Sequence, residues 1–120
     1  MAANTDPVDW RSTCPISSAL DVLGDKLSLL IVRDLLIHGT RTYSEFTKSR
    51  EHISTNILAV RLDTLTCLKL IERSDPKGSP RNNAFQLTES GAALRPVIEG
   101  LGRWAHTHLS EFHADIVSLS

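Results

Sequence analysis

Residues 54–87 read STNILAVRLDTLTCLKLIERSDPKGSPRNNAFQL, and this stretch decides the fold. Its first part predicts a helix, because Ser54 is a favourable N-cap residue and three leucines follow at helical spacing. The three are Leu58, Leu62 and Leu65. Its second part predicts a β-hairpin, because the strand-like runs 70–74 and 84–87 flank a segment rich in Pro, Gly and Asn. The hairpin loop carries basic residues, so a helix followed by a basic hairpin is the central feature of the chain.

Two helices are predicted nearer the N-terminus. Pro15 can occupy the first position of a helix that Gly24 ends. A second helix is predicted to begin at Asp25, an N-cap candidate, and to end at Gly39. Its spacing predicts one buried face formed by Leu27, Leu30, Ile31, Asp34 and Leu35. We therefore expect this second helix to be largely buried.

A short helix and a long one complete the prediction. Thr42 followed by Glu45 is typical of a capping box, which opens a short helix that runs to about Lys48. Thr88 caps a final helix, which we expect to bend near Pro96 and to continue through the amphipathic end of the chain. The fold class is therefore mainly α with a small β-hairpin.

Length and composition predict one domain in an ordinary globular protein. A chain of 120 residues has room for a single modest core. Residues 1–13 lack periodicity and are expected to form a loose N-terminal arm, which leaves 14–120 as the domain. No apolar run approaches the ~20 residues that span a bilayer, and the N-terminus lacks a signal-peptide pattern. We expect a cytoplasmic protein that makes no membrane contact.

Charge is distributed unevenly along the chain, although the formal net charge is only -1. Between residues 41 and 81, eight basic side chains stand against five acidic ones, whereas each flank carries two more acidic than basic residues. A locally basic surface attracts nucleic acid even when the whole protein is nearly neutral. An ordinary mixed surface explains so small an excess equally well.

The order of the elements predicts a winged helix-turn-helix, in which a recognition helix enters the DNA major groove and the hairpin contacts the adjoining backbone. Thr55 and Asn56 would start the recognition helix, and an Asn amide can pair with adenine. Lys77 and Arg81 in the hairpin loop can neutralise phosphates of double-stranded DNA. The predicted DNA contacts are Thr42, Ser44, Ser54, Thr55, Asn56, Ala59, Val60, Arg61, Lys77 and Arg81.

Four segments carry a resemblance to the HxlR family of MarR-like winged helix-turn-helix regulators. They are CPISSALDVLGDKLSLLIVRDLL at 14–36, YSEF at 43–46, ISTNILAVRLDTL at 53–65 and LIERSDPKGSPRNNAFQLTESG at 70–91. The opening CP with the downstream GDK is the more specific part of the match. The chain departs from the family at Leu27, where Trp is usual, and at three positions of the recognition helix. These are Ala59, Val60 and Asp63, where more polar or basic residues are usual.

The resemblance implies a sequence-specific transcription regulator that binds operator DNA as a homodimer through its first and last helices. The residues expected at this interface are Ile16, Leu20, Val97, Ile98, Leu101 and Trp104. Internal packing of the same side chains is the alternative. The resemblance also implies a small-molecule or oxidant effector, with Cys14 as the thiol that reacts, because a helix N-terminus favours a thiolate. A small buried cysteine is the alternative for Cys14, and core packing is expected for Cys67.

Other classes of function receive less support from the sequence. His106, His108 and His113 are spaced poorly for one metal site, so we expect no metal and no cofactor. No Gly-rich phosphate loop and no nucleophile with an evident base indicate an enzyme. A thiol-dependent enzyme that uses Cys14 is the strongest catalytic alternative. A winged helix that binds only other proteins is the main alternative to a DNA-binding regulator.

Overall fold

The computed structural model describes residues 8–48, 51, 54–77 and 83–117. The described residues form helices around a small sheet, as the sequence predicts. In chain order the elements are α1 (Pro15–Leu23), α2 (Ser28–His38), β1 (Thr40–Thr42), α3 (Tyr43–Thr47), α4 (Thr55–Cys67), β2 (Ile71–Arg73), β3 (Ala84–Leu87), α5 (Glu89–Ala92) and α6 (Arg95–Leu109).

The predicted hairpin is confirmed as the antiparallel pair β2 and β3, which we call the wing. Ile71 pairs with Leu87 and Arg73 pairs with Phe85 across this hairpin. The sheet order is β1-β3-β2, with β1 antiparallel to β3 on the side away from β2. The short strand β1 has no counterpart among the elements predicted from the sequence. The loop residues 78–82, which include the predicted phosphate contact Arg81, lie outside the described residues.

The core lies between α2, α3, α4 and the sheet. Phe46 of α3 and Ile71 of β2 are fully buried, and the three leucines predicted on the inner face of α4 are completely or nearly completely buried. The predicted buried face of α2 is confirmed, with Leu30 only partly buried. Apolar burial of this kind is the main term that stabilises a domain of this size. The core therefore holds α4 in place from one side.

The helix starts agree with the sequence in part. The capping box of α3 is confirmed. Ser54 occupies the N-cap position of α4, although its hydroxyl makes no capping hydrogen bond. The prediction that α2 begins at Asp25 was wrong, since α2 begins at Ser28. Asp25 still satisfies the start of the helix, because its carboxylate accepts hydrogen bonds from the N–H groups of Leu27 and Ser28, at 2.9 Å each.

The C-terminal part is not the single bent helix that the sequence predicts. Thr88 caps α5 by accepting a hydrogen bond from Gly91 N–H, but α5 ends at Ala92 and α6 begins at Arg95. A Cβ on Gly91 would lie 2.0 Å from the carbonyl oxygen of Leu70, so a glycine is required there. Pro96 lies in the first turn of α6, and the expected helix beyond Leu109 is absent from the described residues 110–117.

The segment before α1 is in contact with that helix. Val8 is buried, and Arg11 donates its backbone N–H and its Nε–H to the carboxylate of Asp21, at 3.1 and 2.6 Å. The backbone N–H bond from Arg11 is the main cause that lowers the pKa of Asp21. Cys14 is the N-cap residue of α1 and is exposed, and Cys67 is exposed as well. The expectation that Cys67 packs in the core was therefore wrong, and of the two readings of Cys14 the buried one is excluded.

Candidate nucleic-acid interface

The outer face of α4, which we define as Thr55, Asn56, Ala59 and Val60, is exposed along the first turns of the helix. Asn56 and Val60 lie opposite the buried leucines, Thr55 and Ala59 lie to one side of them, and all four are exposed to solvent. The side chain of Val60 is 56% exposed, and neighbouring Ile57 is equally exposed. The face carries short polar groups and small apolar groups, which permit close approach to another macromolecule.

Contacts outside the core fix the start of α4. Tyr43 of α3 donates its hydroxyl hydrogen to the carbonyl oxygen of Thr55 at 2.7 Å. This hydrogen bond joins the two helices of the helix-turn-helix directly. Because Thr55 is the first residue of α4, the bond limits how far the N-terminal turn of α4 can move relative to α3.

An ion-pair cluster joins α2 to Glu51, a described residue between α3 and α4. Arg33 of α2 lies with Nη1 3.0 Å from Oε2 of Glu51, and its Nη2 is 2.8 Å from Oδ1 of the buried Asp34. The hydrogen bonds to Glu51 are the main cause that raises the pKa of Arg33, against the effect of burial. The guanidinium therefore links α2 to Glu51 at neutral pH.

Arg61 differs from the other residues predicted to contact DNA. It lies half-buried, with Nη1 3.5 Å from Oδ1 of Asp25 in the turn between α1 and α2. Burial would raise the pKa of Asp25, but hydrogen bonds from the Ser28 hydroxyl and from the Leu27 and Ser28 N–H groups, together with the charge of Arg61, lower it overall. Asp25 is therefore ionised at neutral pH and attracts Arg61 away from the outer face of α4.

The start of α3 contains two predicted contacts, Thr42 and Ser44. The Thr42 hydroxyl accepts a hydrogen bond from Glu45 N–H at 3.2 Å, and the Glu45 carboxylate accepts one from Thr42 N–H at 2.9 Å. The backbone bond from Thr42 is the main cause that lowers the pKa of Glu45. Thr42 is thus engaged in its own helix cap, whereas Ser44 is exposed.

The wing adjoins α4 on the side of the sheet. A cleft of about 250 Å³ has Ala59 and Asp63 of α4 on one side and Arg73 of β2 on another. Tyr43 also lines this cleft, so α3, α4 and the wing border one continuous surface. Lys77, the described phosphate candidate of the wing, is exposed, and its N–H donates to the Asp75 carboxylate at 3.1 Å.

The predicted contacts are therefore brought together in part. The four residues of the outer face lie together, with Ser54 exposed immediately before them, whereas Arg61 lies apart from that face. Ile57 is a further exposed residue of α4 that was not predicted, although the leucine spacing leaves it off the buried side. The roles of Tyr43 and Asp25 were also not predicted, since no local pattern indicates contacts that join separate elements.

The exposed apolar side chains of α1 and α6 include most of the residues predicted at a dimer interface. Five of the six are exposed, and the sixth, Ile98, is half-buried. The exposed five are Ile16, Leu20, Val97, Leu101 and Trp104. The indole of Trp104 lies 5.7 Å from the His108 ring between centroids. Within the described ranges no group of three His, Cys, Asp or Glu side chains could hold a metal ion, and no helix there is long and apolar enough to cross a membrane.

Comparisons with known proteins agree with this geometry. The HTH-type transcriptional regulator YodB of Bacillus subtilis is 33% identical over 96 residues, which cover 79% of this chain and 85% of YodB. The structure of reduced YodB superposes with a TM-score of 0.67 at 32% identity, over 81% of this chain and 95% of that one. The redox regulator HypR in its reduced form gives a TM-score of 0.73 over 84% of this chain and 99% of HypR, and its 23% identity establishes the likeness of fold alone.

The family comparison covers most of the chain, from the last two residues of α1 through α6. The HxlR-like helix-turn-helix model matches residues 22–113, a range that extends from the end of α1 past the end of α6. The match therefore includes the helix-turn-helix, the wing and the exposed face of α6. The chain belongs to the HxlR-like helix-turn-helix family.

Proposed function

We propose that the protein is a sequence-specific DNA-binding transcription regulator of the HxlR type, not an enzyme, and that it binds operator DNA in the cytoplasm as a homodimer. The observation that carries this proposal is the outer face of α4, where exposed hydrogen-bonding and small apolar side chains lie opposite or beside three buried leucines. A recognition helix needs a rigid inner face and an outer face small enough to enter the major groove.

The proposed contacts divide into base contacts and phosphate contacts. Thr55 and Asn56 contact base edges from the N-terminal turn of α4, while Ala59 and Val60 approach the bases one turn later. Lys77 and Arg81 of the wing neutralise phosphates, and the hydroxyls of Ser44 and Ser54 donate hydrogen bonds to the DNA backbone. Thr42 serves the cap of α3, and Arg61 braces α4 against Asp25.

The dimer is proposed to form through α1 and α6. Their exposed apolar side chains have no cover in the described chain, and a large exposed apolar patch marks a protein interface. A twofold dimer repeats each recognition helix, so it reads two half-sites whose spacing is fixed by the protein. Burial of α1 and α6 at this interface thus determines the spacing of the operator.

Cys14 is proposed as the site where an oxidant or electrophile acts. Its thiol is exposed at the N-cap of α1, two residues before Ile16 of the proposed dimer interface. Modification at this place alters the packing of α1 against its partner and hence the relative position of the two recognition helices. The relative YodB, which has been solved in a quinone-bound form and is 32% identical to this chain, supports a redox-responsive role.

Fluorescence anisotropy with duplex DNA from upstream of the protein's own gene tests the DNA-binding proposal. We expect affinity for this duplex to exceed affinity for random DNA and to fall steeply as salt rises. Lys77→Ala should weaken binding to all duplexes and reduce the salt slope by about one, whereas Asn56→Ala should mainly relax sequence preference. Lys26→Ala is the matched control, since Lys26 is exposed outside the proposed contacts. Absence of salt-sensitive binding to any duplex would favour the protein-interaction module instead.

The same assay tests the thiol proposal. Treatment with diamide or a quinone should abolish or strongly change specific binding by the wild-type protein, and reduction should reverse an effect that arises from a disulfide. Cys14→Ser should remove the response, and Cys67→Ser should retain it, because both thiols are exposed but only Cys14 adjoins the proposed dimer interface. An unchanged response in Cys14→Ser would contradict the role of this cysteine.

A further inference from the structure

We infer that α4 selects A·T base pairs, through apolar contacts to thymine methyl groups beside an amide contact to adenine. This inference rests on the proposed function, and it specifies which DNA the outer face of α4 binds. It follows from three properties of α4. These are the position of its basic side chain, the amide of Asn56 that makes no hydrogen bond with other described residues, and the apolar groups that are exposed.

The basic side chain of α4 is held away from the reading surface. The structure describes all thirteen residues of α4, and Arg61 is the single Lys or Arg among them. Its guanidinium is half-buried beside the ionised Asp25, with 3.5 Å between Nη1 and Oδ1. Guanine is most often recognised by an Arg or Lys that binds its O6 and N7 together. With Arg61 engaged elsewhere, α4 lacks the usual reader of guanine.

The amide of Asn56 is available for base recognition. Asn56 is exposed in the first turn of α4, and its side chain forms no hydrogen bond with any other described residue. A carboxamide presents one acceptor and two donor hydrogens, which match N6 and N7 of adenine in bidentate fashion. The side chain closest to the groove is therefore one that prefers adenine.

The groups beside Asn56 match thymine. Val60 lies four residues after Asn56 on the same helical face, about 6 Å away between Cβ atoms, which places the two side chains over neighbouring base pairs. Ile57 and Ala59 add further exposed methyl groups, and both Ile57 and Val60 are 56% exposed. The thymine C5 methyl is the one apolar group on a major-groove edge. Removing one such methyl from an apolar contact should cost about fourfold in affinity.

Asp63 is the remaining exposed charge on this side of α4. It lies seven residues after Asn56, or about 10 Å farther along the helix axis. A carboxylate can accept a hydrogen bond from cytosine N4, but recognition helices contact bases chiefly through their N-terminal residues. Asp63 therefore restricts the close approach of phosphates near the middle of the helix, while the first turns read the bases.

Selection from a library of duplexes with a random 30-bp centre tests the inference with the full-length protein. We expect enriched duplexes to contain repeated half-sites in which adenine and thymine occupy the positions under α4. Selection with Arg61→Gln should enrich the same half-site, because Arg61 braces the helix instead of reading a base. Half-sites centred on G·C pairs, or a different half-site with Arg61→Gln, would overturn the inference and leave the proposed DNA binding intact.

Deoxyuridine substitution then tests the methyl contacts on an enriched duplex. Replacing the selected thymines by deoxyuridine removes the C5 methyl and keeps every hydrogen-bonding group. The wild-type protein should bind the substituted duplex about fourfold more weakly per contacted methyl, whereas Val60→Ala should lose less. Equal affinity of the wild-type protein for both duplexes would overturn the inference. Failure of every duplex to be enriched over the starting library would overturn it together with the proposed function.

Discussion

The helices α4 and α6 have similar lengths, 13 and 15 residues, but they are held in opposite ways. The inner face of α4 buries three leucines completely or nearly so, while α6 has no buried residue. Two side-chain interactions also join α4 to other parts of the chain. The Tyr43 hydroxyl donates a hydrogen bond to the carbonyl oxygen of Thr55, and Arg61 forms an ion pair with Asp25. In the part of the chain that the structure describes, no side chain of α6 makes a hydrogen bond or ion pair with another element.

This difference separates two tasks within one small domain. The buried core is formed by α2, α3, α4 and the sheet, so contacts within the chain hold α4 and leave its outer face toward solvent. The apolar face of α6 contributes little to that core, and Trp104 remains 56% exposed. We therefore expect mutations in the two helices to change different measured quantities.

The largest expected effect is on the inner face of α4. Leu58→Ala should lower the free energy of unfolding by about 2–5 kcal/mol, because Leu58 is fully buried and its loss leaves a cavity. Chemical denaturation followed by circular dichroism measures this change. The neighbouring Ile57→Ala is the control on the same helix, and an equal loss there would contradict the division of α4 into two faces.

The next effect concerns the proposed dimer surface of α6. Joint replacement of Leu101 and Trp104 by Ala should raise the dimer dissociation constant about thirtyfold, or about 2 kcal/mol, because both apolar side chains lose cover from the partner. Sedimentation equilibrium measures the constant. Ile37→Ala is the control, since Ile37 is an exposed apolar residue of α2 outside this surface. A wild-type protein that stays monomeric at micromolar concentration would show the comparison to be wrong.

A smaller effect on the free energy of unfolding is expected at Asp25, which forms an ion pair with Arg61 of α4. The folded protein lowers the pKa of Asp25, so the carboxylate stabilises the fold above its ordinary pKa, and that stability is lost as pH falls through the lower folded value. Asp25→Asn should cost about 0.5–1 kcal/mol at pH 7, since solvent screens this partly exposed group. The free energy of unfolding should be measured for both proteins at pH 7 and below about pH 4. The difference between the wild type and Asp25→Asn should be smaller at the lower pH. A difference that grows in acid would contradict this role.

The smallest effect on stability is expected on the outer face of α4. Val60→Ala should change the free energy of unfolding by less than about 0.5 kcal/mol, because the side chain is largely exposed and Ala favours helix. Its affinity for a selected duplex should nevertheless fall. Thermal unfolding and anisotropy on the same preparation measure the two quantities. A large loss of stability would show that Val60 packs in the fold.

Local patterns in the sequence predict much of this architecture. Nearby residues determine the helix boundaries at Pro15, Gly24 and Gly39 and the capping box at Thr42. The inner leucines of α4 are likewise predicted by their spacing. The strand β1 could not be predicted in this way, because its three residues become a strand only by pairing with β3, more than forty positions later.

The remaining errors also arise from long-range packing. The break between α5 and α6 was not predicted, because the residues around it, Ala92, Ala93 and Leu94, favour helix. Gly91 packs closely against Leu70, which is distant in sequence, and no local pattern indicates that contact. The pair of Arg61 with Asp25 joins residues 36 positions apart, and no sequence period indicates it. The residue types at the candidate site were therefore predictable, while the orientation of Arg61 required the fold.

Hydroxyl-radical footprinting on a selected duplex tests the central claim most directly, because it reports both the recognition helices and the dimer. We expect two protected regions related by twofold symmetry, with centres about one helical turn or a multiple of it apart. The variant in which Ala replaces both Leu101 and Trp104 should lose this paired protection at the same protein concentration. A single protected region, or protection by the wild-type protein that does not depend on DNA sequence, would contradict the account.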